Sequence, residues 1–335
     1  MNLLKNLKKY LFIIGIYIFA FELILQIFFF FDFKFITKPD LYYNGYCDQK
    51  YWNLNTNIIN FKNDTLYHPK LSFIKKGVEI PEESTNYQET IKRDFLKDEL
   101  SFYGSSYINH NEFKKIIKNY KNIKSQNYAL ESYGLDQIYL SYKLTAHLNQ
   151  NKTIIFGFLL EDLDRSIFYK REYQKAVFIK KDNSFKIQNV PIVQKKSSSR
   201  KLDFYLYRFI SNFHNLTKNN FDPRLYKCKT KLKKDLFSFF IDDIKKTANI
   251  YNQKIIIITF NLKEDLIKEP SWRYNFIKNY LIDNSVRHID AYKILKDKSQ
   301  NNINEIDNLF GLDKHNNEKS FKYIVDELIK NYKAM

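Results

Sequence analysis

The longest apolar run of the chain lies near its start, between residues 10 and 31, and is interrupted only by Glu22 and Gln26. About 22 residues at a rise of about 1.5 Å each suffice for one membrane-spanning helix. No small-residue cleavage site follows, because residues 27–31 are bulky. The pattern therefore predicts an uncleaved transmembrane anchor. A carboxylate is costly in lipid, so Glu22 indicates either a membrane partner protein or a side chain that snorkels to the interface.

The charges on the two sides of this segment differ. Residues 1–9 carry three lysines and no acidic residue, whereas residues 32–40 mix two lysines with two aspartates. Basic residues favour the cytoplasmic side of a membrane. We therefore expect residues 1–9 to be a cytoplasmic tail of a single-pass protein of the inner (plasma) membrane. The rest of the chain is then periplasmic, or extracytoplasmic.

Beyond the anchor, the pattern changes near residue 98. Residues 32–97 are polar and irregular, with three prolines, and are expected to be an exported linker. From 98 to 335, short apolar runs alternate with helical stripes, which predicts an α/β domain with a parallel sheet covered on both faces. Residues 166–222 break this alternation and are expected to be an insertion. The strand-like runs are 100–103, 127–130, 153–159, 254–260 and 286–290, and the helical stripes span 113–120 and 321–328.

Composition and charge indicate which kinds of molecule the protein binds. The chain of 335 residues carries a formal charge of +18, but its lysines are spread along it and form no nucleic-acid motif. We expect no nucleic-acid partner, and some attraction to anionic lipid headgroups or acidic glycans. The two cysteines, Cys47 and Cys228, could form one disulfide in an oxidising compartment or stay unpaired.

Candidate chemistry appears where a strand-like run ends. Gly104 is followed by Ser105 and Ser106, and Asp313 and His315 come about 200 residues later. A serine hydroxyl becomes a nucleophile when an imidazole takes its proton, and a carboxylate holds that imidazole in the right tautomer. Ser106, His315 and Asp313 are the three groups that acyl transfer needs. The alternatives are helix caps for the serine and the aspartate, and a surface position for the histidine.

Other chemistries lack a pattern. The six histidines show no metal-ligand spacing with cysteines or acidic residues, so we expect no metal site. No phosphate-binding glycine loop or dinucleotide fingerprint is present, and no cofactor is expected. His110, about one helical turn after Ser106, is expected to be an exposed polar side chain or to line the mouth of a pocket.

Four sequence blocks together resemble the SGNH/GDSL hydrolases, in particular membrane-anchored exported members with degenerate blocks. They are F-Y-G-S-S-Y at 102–107, N-Y-A-L-E-S-Y-G-L-D-Q at 127–137, I-F-G-F-L-L-E-D-L-D-R at 155–165 and L-D-K-H-N-N-E at 312–318. The similarity extends over about 100–328. It implies a three-layer, flavodoxin-like parallel sheet.

The resemblance also implies roles for single residues. Ser106 stands at the nucleophile, and Asp313 and His315 stand in the last block. Oxyanion or substrate-binding positions correspond to Ser132 and Gly134 in the second block, and to Glu161 and Asp162 in the third. Asp162, Asp164 and Arg165 could instead form a structural ion-pair network.

The chain departs from the family pattern at three places. Glu161 replaces the usual asparagine donor, and an ionised carboxylate only accepts hydrogen bonds. It would repel an oxyanion, so Glu161→Asn would raise turnover and the pH optimum would be acid-shifted. Ser105 replaces the usual aspartate and is a rival nucleophile. In some relatives the carboxylate lies three residues before the histidine, where this chain has Leu312.

These patterns lead to two functional hypotheses. The first is a membrane-anchored serine esterase or acyl-transfer enzyme that acts on O-acyl groups of cell-envelope glycans. The second is a catalytically degenerate glycan-binding or scaffold protein of an envelope assembly complex. A buried Glu161 able to donate a hydrogen bond favours the enzyme. A carboxylate that is exposed, or that points inward and repels the oxyanion, favours the binding protein.

Overall fold

The fold is that of a computed structural model, which describes residues 2–31, 49, 64–83, 99–121, 123–170, 173–182, 184–193, 204–206, 210 and 228–335. The chain divides into two compact units. The first is made of residues 1–59, 170–173 and 195–228, and the second of residues 60–169, 174–194 and 229–335.

The second unit contains every strand of the described residues. The strands are β1 (Thr65–His68), β2 (Ser72–Lys75), β3 (Glu99–Gly104), β4 (Lys124–Asn127), β5 (Thr153–Leu159), β6 (Val177–Lys181), β7 (Ser184–Gln188), β8 (Lys254–Phe260) and β9 (His288–Asp290). The α-helices with bounds in the described residues are α1 (Asn2–Phe30), α2 (Ser106–Asn109), α3 (Asn111–Asn119), α4 (Leu135–Thr145), α5 (Asp162–Arg165), α6 (Thr230–Ile250), α7 (Lys263–Ile267), α8 (Trp272–Asp283), α9 (Ala291–Ser299), α10 (Ile303–Asp307) and α11 (Glu318–Lys333).

Five parallel strands form the central sheet, in the order β4-β3-β5-β8-β9. Counted along the chain within this sheet, the order is 2-1-3-4-5, which is the flavodoxin-like arrangement. The predicted fold class, a three-layer α/β sheet, is confirmed. Because the strands are parallel, their carboxyl ends share one edge of the sheet, where ligands bind in such folds.

Both faces of the sheet are covered, which explains why β5 and β8 are almost continuously apolar. On one face, the apolar stripes of α3 and α11 pack against each other and on β3, β5 and β8; Phe113 and Phe321 belong to this core. On the other face, α4 and α6 pack together through Tyr139 and Phe240.

The ends of β3 and β5 approach each other and α2 unusually closely. A Cβ atom at Gly104 would lie 2.2 Å from the carbonyl oxygen of Gly157, and one at Gly157 would lie 2.3 Å from the side chain of Ile108. These two positions therefore need glycine for close packing. The two glycines pair in register and fix where the chain turns into Ser105.

Part of the predicted linker is ordered. Within 32–97, β1 and β2 form an antiparallel hairpin, so the expectation of an irregular segment was wrong there. Each strand has only four residues, too few to show a period, and tertiary contacts hold them. Tyr133 donates its hydroxyl to the carbonyl oxygen of Phe73 at 2.6 Å, and Gln137 donates to that of Leu71 at 2.8 Å.

The predicted insertion also contains structure. β6 and β7 form a hairpin in which Phe178 packs on Tyr139 and Phe240. One strand boundary differs as well: β4 ends at Asn127, whereas the sequence pattern placed the strand at 127–130. β4 is an edge strand with polar, mostly exposed residues, and the apolar residues that follow it are buried in a loop.

The first unit contains α1. Its segment Asn6–Phe28 is long and apolar enough to cross a membrane, as an anchor or as a signal sequence. The predicted apolar N-terminal helix is therefore present. Cys228 is disulfide-bonded; Cys47 lies outside the described residues, so the Cys47–Cys228 pair stays a prediction.

Candidate active site

Ser106 and His315 meet at the carboxyl edge of the sheet. Ser106 is the first residue of α2, directly after β3, and His315 lies in the loop before α11. The Nε2 atom of His315 is 2.9 Å from the Oγ atom of Ser106, although 209 positions separate the two residues. The tertiary fold thus produces the contact that an imidazole base needs.

Asp313 lies on the far side of this histidine. Its Oδ1 accepts the backbone N–H of His315 at 3.1 Å, and its Oδ2 lies 3.3 Å from Nδ1 of His315. The latter pair is close enough for an ion pair but is not aligned as a hydrogen bond. Catalytic hydrogen bonds are often this loose without substrate.

His110 is a second imidazole on the same carboxylate. Its Nε2 lies 3.2 Å from Oδ2 of Asp313, and its Nδ1 accepts the backbone N–H of Glu112, at the start of α3. Because Nδ1 accepts, we assign the ring proton to Nε2, which donates to Asp313. Sequence reasoning considered His110 only as a pocket-mouth or exposed residue. Its side chain is 23% exposed and also stacks on His315 at 5.3 Å.

These contacts keep Asp313 ionised. Partial desolvation acts to raise its pKa. The hydrogen bond from the backbone N–H of His315 and the interactions with both imidazoles outweigh that effect and hold the pKa of Asp313 below its ordinary value. The carboxylate can therefore stabilise an imidazolium at His315.

Ser105, the rival nucleophile, has no base beside it. It is buried, and its Oγ has no hydrogen-bond partner, while its backbone N–H donates to Gly157 at 3.2 Å. Ser106 is instead partly accessible, and the ring of its neighbour Tyr107 packs between His315 and Phe260, at 4.8 Å from each. The geometry selects Ser106.

The second block supplies a loop whose backbone is constrained. Ser132 has a left-handed φ of 65°, a conformation that favours glycine. The N–H of Gly134 donates to Oε1 of Gln137 and caps α4. A Cβ atom added at Gly134 would lie 2.8 Å from the Cβ atom of Arg165. Gly134 therefore caps α4 and packs closely; its role in oxyanion or substrate binding stays a prediction.

Glu161 lies two residues after the end of β5. Both of its carboxyl oxygens are inaccessible to solvent and lack a hydrogen-bond partner among the described residues. Burial raises its pKa to about 8, and the nearby charge of Asp265 adds to the shift while Arg273 opposes it. The side chain is therefore protonated at neutral pH. A protonated carboxyl has an O–H donor, which removes the objection raised from sequence that Glu161 can only accept.

Asn261 is a further polar residue that sequence reasoning missed. It follows β8, the neighbour of β5, and is only 4% exposed. Neither its Oδ1 nor its Nδ2 has a hydrogen-bond partner within the part of the chain that the structure describes. A buried amide without a partner costs free energy unless something binds it. The only sequence signal was its place at the carboxyl end of an isoleucine-rich strand.

The acidic residues after Glu161 have structural partners. Asp162, expected among the substrate-binding positions, accepts the backbone N–H of Leu159 at 3.0 Å, and its Oδ1 lies 3.6 Å from Nε of Arg165. Asp164 lies in a buried cluster with Lys233, at 2.7 Å, and Arg273. Asp162 and Arg165 thus form an ion pair, whereas Asp164 pairs with two cations from later helices.

His110, Asp313 and His315 are also the described residues that could hold a metal ion, since one ligand atom from each lies within 4.8 Å of the others. Sequence spacing missed this cluster because His110 lies 203 positions before Asp313 in the chain. Nδ1 of His315 and Oδ2 of Asp313 would both become ligands. A metal ion here would therefore displace the carboxylate from its role beside the imidazole.

Comparison with known proteins gives distant structural similarity. A member of the lipolytic G-D-S-L family from Veillonella parvula has a TM-score of 0.40 and 10% identity, over 71% of this chain and 99% of that one. The YXIM protein of Bacillus subtilis has a TM-score of 0.40 and 10% identity, over 70% of this chain and 57% of that one. An acylhydrolase-like protein from Bacteroides fragilis has a TM-score of 0.38 and 11% identity, over 73% and 90%.

No family model and no curated protein matches the sequence. Evidence on the function of this chain therefore comes from its own residues.

Proposed function

We propose that the protein is a membrane-anchored serine esterase or acyl-transfer enzyme. The observation that carries the proposal is the contact of 2.9 Å between Ser106 Oγ and His315 Nε2, with Asp313 on the other side of the same ring. A helix cap or a surface histidine, the alternatives for these residues, does not require this pairing. Nucleophile, base and orienting carboxylate are the parts that acyl transfer needs.

The reaction follows from the positions of the protons. Ser106 Oγ attacks the acyl carbonyl carbon while its proton moves to Nε2 of His315, and Asp313 stabilises the resulting imidazolium. Collapse of the tetrahedral intermediate releases the alcohol, which takes that proton. Water, or a hydroxyl of a second molecule, then attacks the acyl-serine by the same route in reverse. The first acceptor gives hydrolysis and the second gives acyl transfer.

Glu161 supports the enzyme over the binding protein. A buried carboxyl with a pKa of about 8 carries a proton at neutral pH, and that proton has no acceptor in the described part of the chain. A developing oxyanion would be such an acceptor. Donors of this kind contribute about 10²- to 10³-fold in acyl-transfer enzymes. The alternative of a degenerate glycan-binding or scaffold protein was tied to a carboxylate that is exposed or that repels the oxyanion. A buried, protonated Glu161 supports the enzyme instead.

We further propose an O-acyl group of a cell-envelope glycan as the substrate, with the domain outside the plasma membrane. The proposal is supported by an N-terminal helix able to cross the membrane and by the net charge of +18, which favours acidic polymers. The flanking lysines support a cytoplasmic N-terminus. The absence of a nucleic-acid partner remains part of the same proposal.

A fluorophosphonate probe tests the proposed nucleophile. We expect the full-length protein in detergent to become labelled at Ser106, as read by mass spectrometry, and Ser106→Ala to abolish labelling. Ser105→Ala is the matched control: its Oγ makes no hydrogen bond, so the variant should fold normally and keep its labelling. Labelling elsewhere, or none on a folded protein, would refute the serine mechanism.

A further inference from the structure

One face of α1 is covered by another part of the first unit. Among the described side chains of α1, Leu25 is the buried one, at 2% exposure, and its neighbours Glu22 and Gln26 are half-buried. Positions i, i+3 and i+4 lie on one face of a helix. Most of the other apolar side chains of α1 are exposed, as expected for a surface that faces lipid.

The partner of this face is the segment Phe204–Leu206. Oε1 of Glu22 accepts the backbone N–H of Tyr205 at 3.0 Å, and Oε2 accepts that of Leu206 at 2.7 Å. Gln26, one turn further along α1, donates its amide to Oε1 at 2.6 Å. The carboxylate thus has three donors, two of which come from a segment 183 and 184 positions away in the chain.

The depth of Glu22 determines where this segment lies. The membrane-crossing part of α1 is Asn6–Phe28, so Glu22 lies six residues before its distal end, which is about 9 Å at the rise of an α-helix. At such a depth a carboxylate needs hydrogen-bond donors, and backbone N–H groups equally need acceptors. The contact between Glu22 and the two N–H groups meets both needs at once.

We propose that Phe204–Leu206 is a second, membrane-inserted segment, held in the distal half of the bilayer by Glu22. Its side chains fit that location. Tyr205 and Leu206 are buried, whereas Phe204 and Ile210 are 54% and 62% exposed, which is unfavourable in water and favourable in lipid. The inference rests on α1 being retained as an anchor and is independent of the esterase chemistry. It assigns to the chain itself the partner that sequence reasoning sought for Glu22 in another protein.

Fluorescence quenching by brominated lipids tests this insertion. The full chain is placed in nanodiscs, one copy per disc, in a background where Trp52 and Trp272 are changed to phenylalanine and Phe204→Trp is the single fluorophore. We expect lipids brominated on the acyl chain to remove most of its fluorescence. Ile250→Trp is the matched control, because Ile250 is 75% exposed on the α/β unit and should keep its fluorescence.

The role of Glu22 is tested in the same discs. Glu22→Ala removes both acceptors and should abolish quenching of the Phe204→Trp fluorophore. Quenching equal to that of the Ile250 control, or quenching that Glu22→Ala leaves unchanged, would overturn the proposal. Quenching that needs two copies per disc would also overturn it, since the segment would then come from another chain.

Hydrogen exchange gives a second measurement on the unaltered sequence. In nanodiscs, the amides of Tyr205 and Leu206 should be protected from exchange in the wild-type protein and lose that protection in Glu22→Ala. Equal, rapid exchange in both proteins would contradict the proposal even if the tryptophan variants failed to fold.

Discussion

At the scale of single residues, the protonation of Glu161 decides how the site works. From sequence, an ionised Glu161 would have weakened the oxyanion site and shifted the pH optimum towards acid. Burial instead raises the pKa of Glu161 to about 8. The donor is thus present at neutral pH and is lost only in alkaline solution.

We therefore expect turnover of a small aryl ester to fall as pH rises through about 8, where Glu161 ionises. Glu161→Gln supplies a neutral donor of the same length and should remove the alkaline fall while keeping activity at neutral pH. Glu161→Leu should lose about 10²-fold at every pH, as expected for removal of one donor. If turnover of Glu161→Gln still fell at alkaline pH, the fall would be caused by another group and not by Glu161.

Stability provides a readout of Glu161 that does not depend on activity. Its pKa is near 4.5 when unfolded and about 8 when folded, so the folded state holds the proton more tightly. Stability is then fully present below about pH 4.5 and falls as pH rises through about 8. Relative to Glu161→Gln, the wild type should lose on the order of a few kcal/mol over this window, measured by denaturant unfolding. A constant difference would contradict the buried, neutral carboxyl.

His110 is proposed as a positioning residue, because it acts on Asp313 and not on the substrate. His110→Asn keeps an N-cap for α3, since asparagine is a favoured capping residue, but is too short to reach Asp313. We expect kcat to fall about 10-fold. This is much less than the loss of roughly 10⁴-fold that follows when the triad carboxylate itself is replaced by an amide. KM and thermal stability should stay unchanged. An unchanged kcat would show that the contact at 3.2 Å has no catalytic effect.

At the scale of elements, the close approach of β3, β5 and α2 holds Ser106 in place. The two glycines at the strand ends allow it, and the neighbouring Ser105 makes no side-chain hydrogen bond there. The position of Ser106 after β3 therefore depends on how closely the end of β3 packs against the end of β5.

Gly104→Ala should destabilise the α/β unit by about 1–3 kcal/mol or prevent folding, because the new Cβ would overlap a backbone oxygen that cannot move aside easily. Denaturant unfolding of Gly104→Ala beside Ser105→Ala measures this. The serine variant, one residue away, should be as stable as the wild type. Equal stability of all three proteins would show that the strand ends can separate at little cost.

At the scale of the whole molecule, the positive charge of the chain affects how fast the protein encounters a charged substrate. A net charge of +18 attracts acidic polymers over a range that salt reduces to about 8 Å at physiological ionic strength. This effect is separate from the chemistry at Ser106.

If the substrate is an O-acylated acidic glycan, kcat/KM for it should fall as salt is raised from low to physiological concentration. The matched control is a neutral aryl ester, whose kcat/KM should not change. A salt effect of equal size on both esters would indicate that salt acts on the enzyme and not on encounter with substrate.

The sequence by itself determined the sheet and the anchor-like helix, and it singled out the candidate triad residues, because each depends on a local pattern. The bounds of β5 and β8 match the apolar runs that predicted them, since strands buried on both faces are apolar throughout. Ser106, Asp313 and His315 stood in short blocks with recognisable chemistry. Four-residue strands such as β1 and β2 carry too little pattern to be found this way.

The tertiary structure alone decided the protonation of Glu161, the contact of His110 with Asp313, and the donors of Glu22. Each depends on groups far apart in the chain, or on the exclusion of water from a side chain whose local sequence is unremarkable. Desolvation and long-range pairing are properties of the packed molecule. A pattern of neighbouring residues contains no information about either until the fold brings the distant groups together.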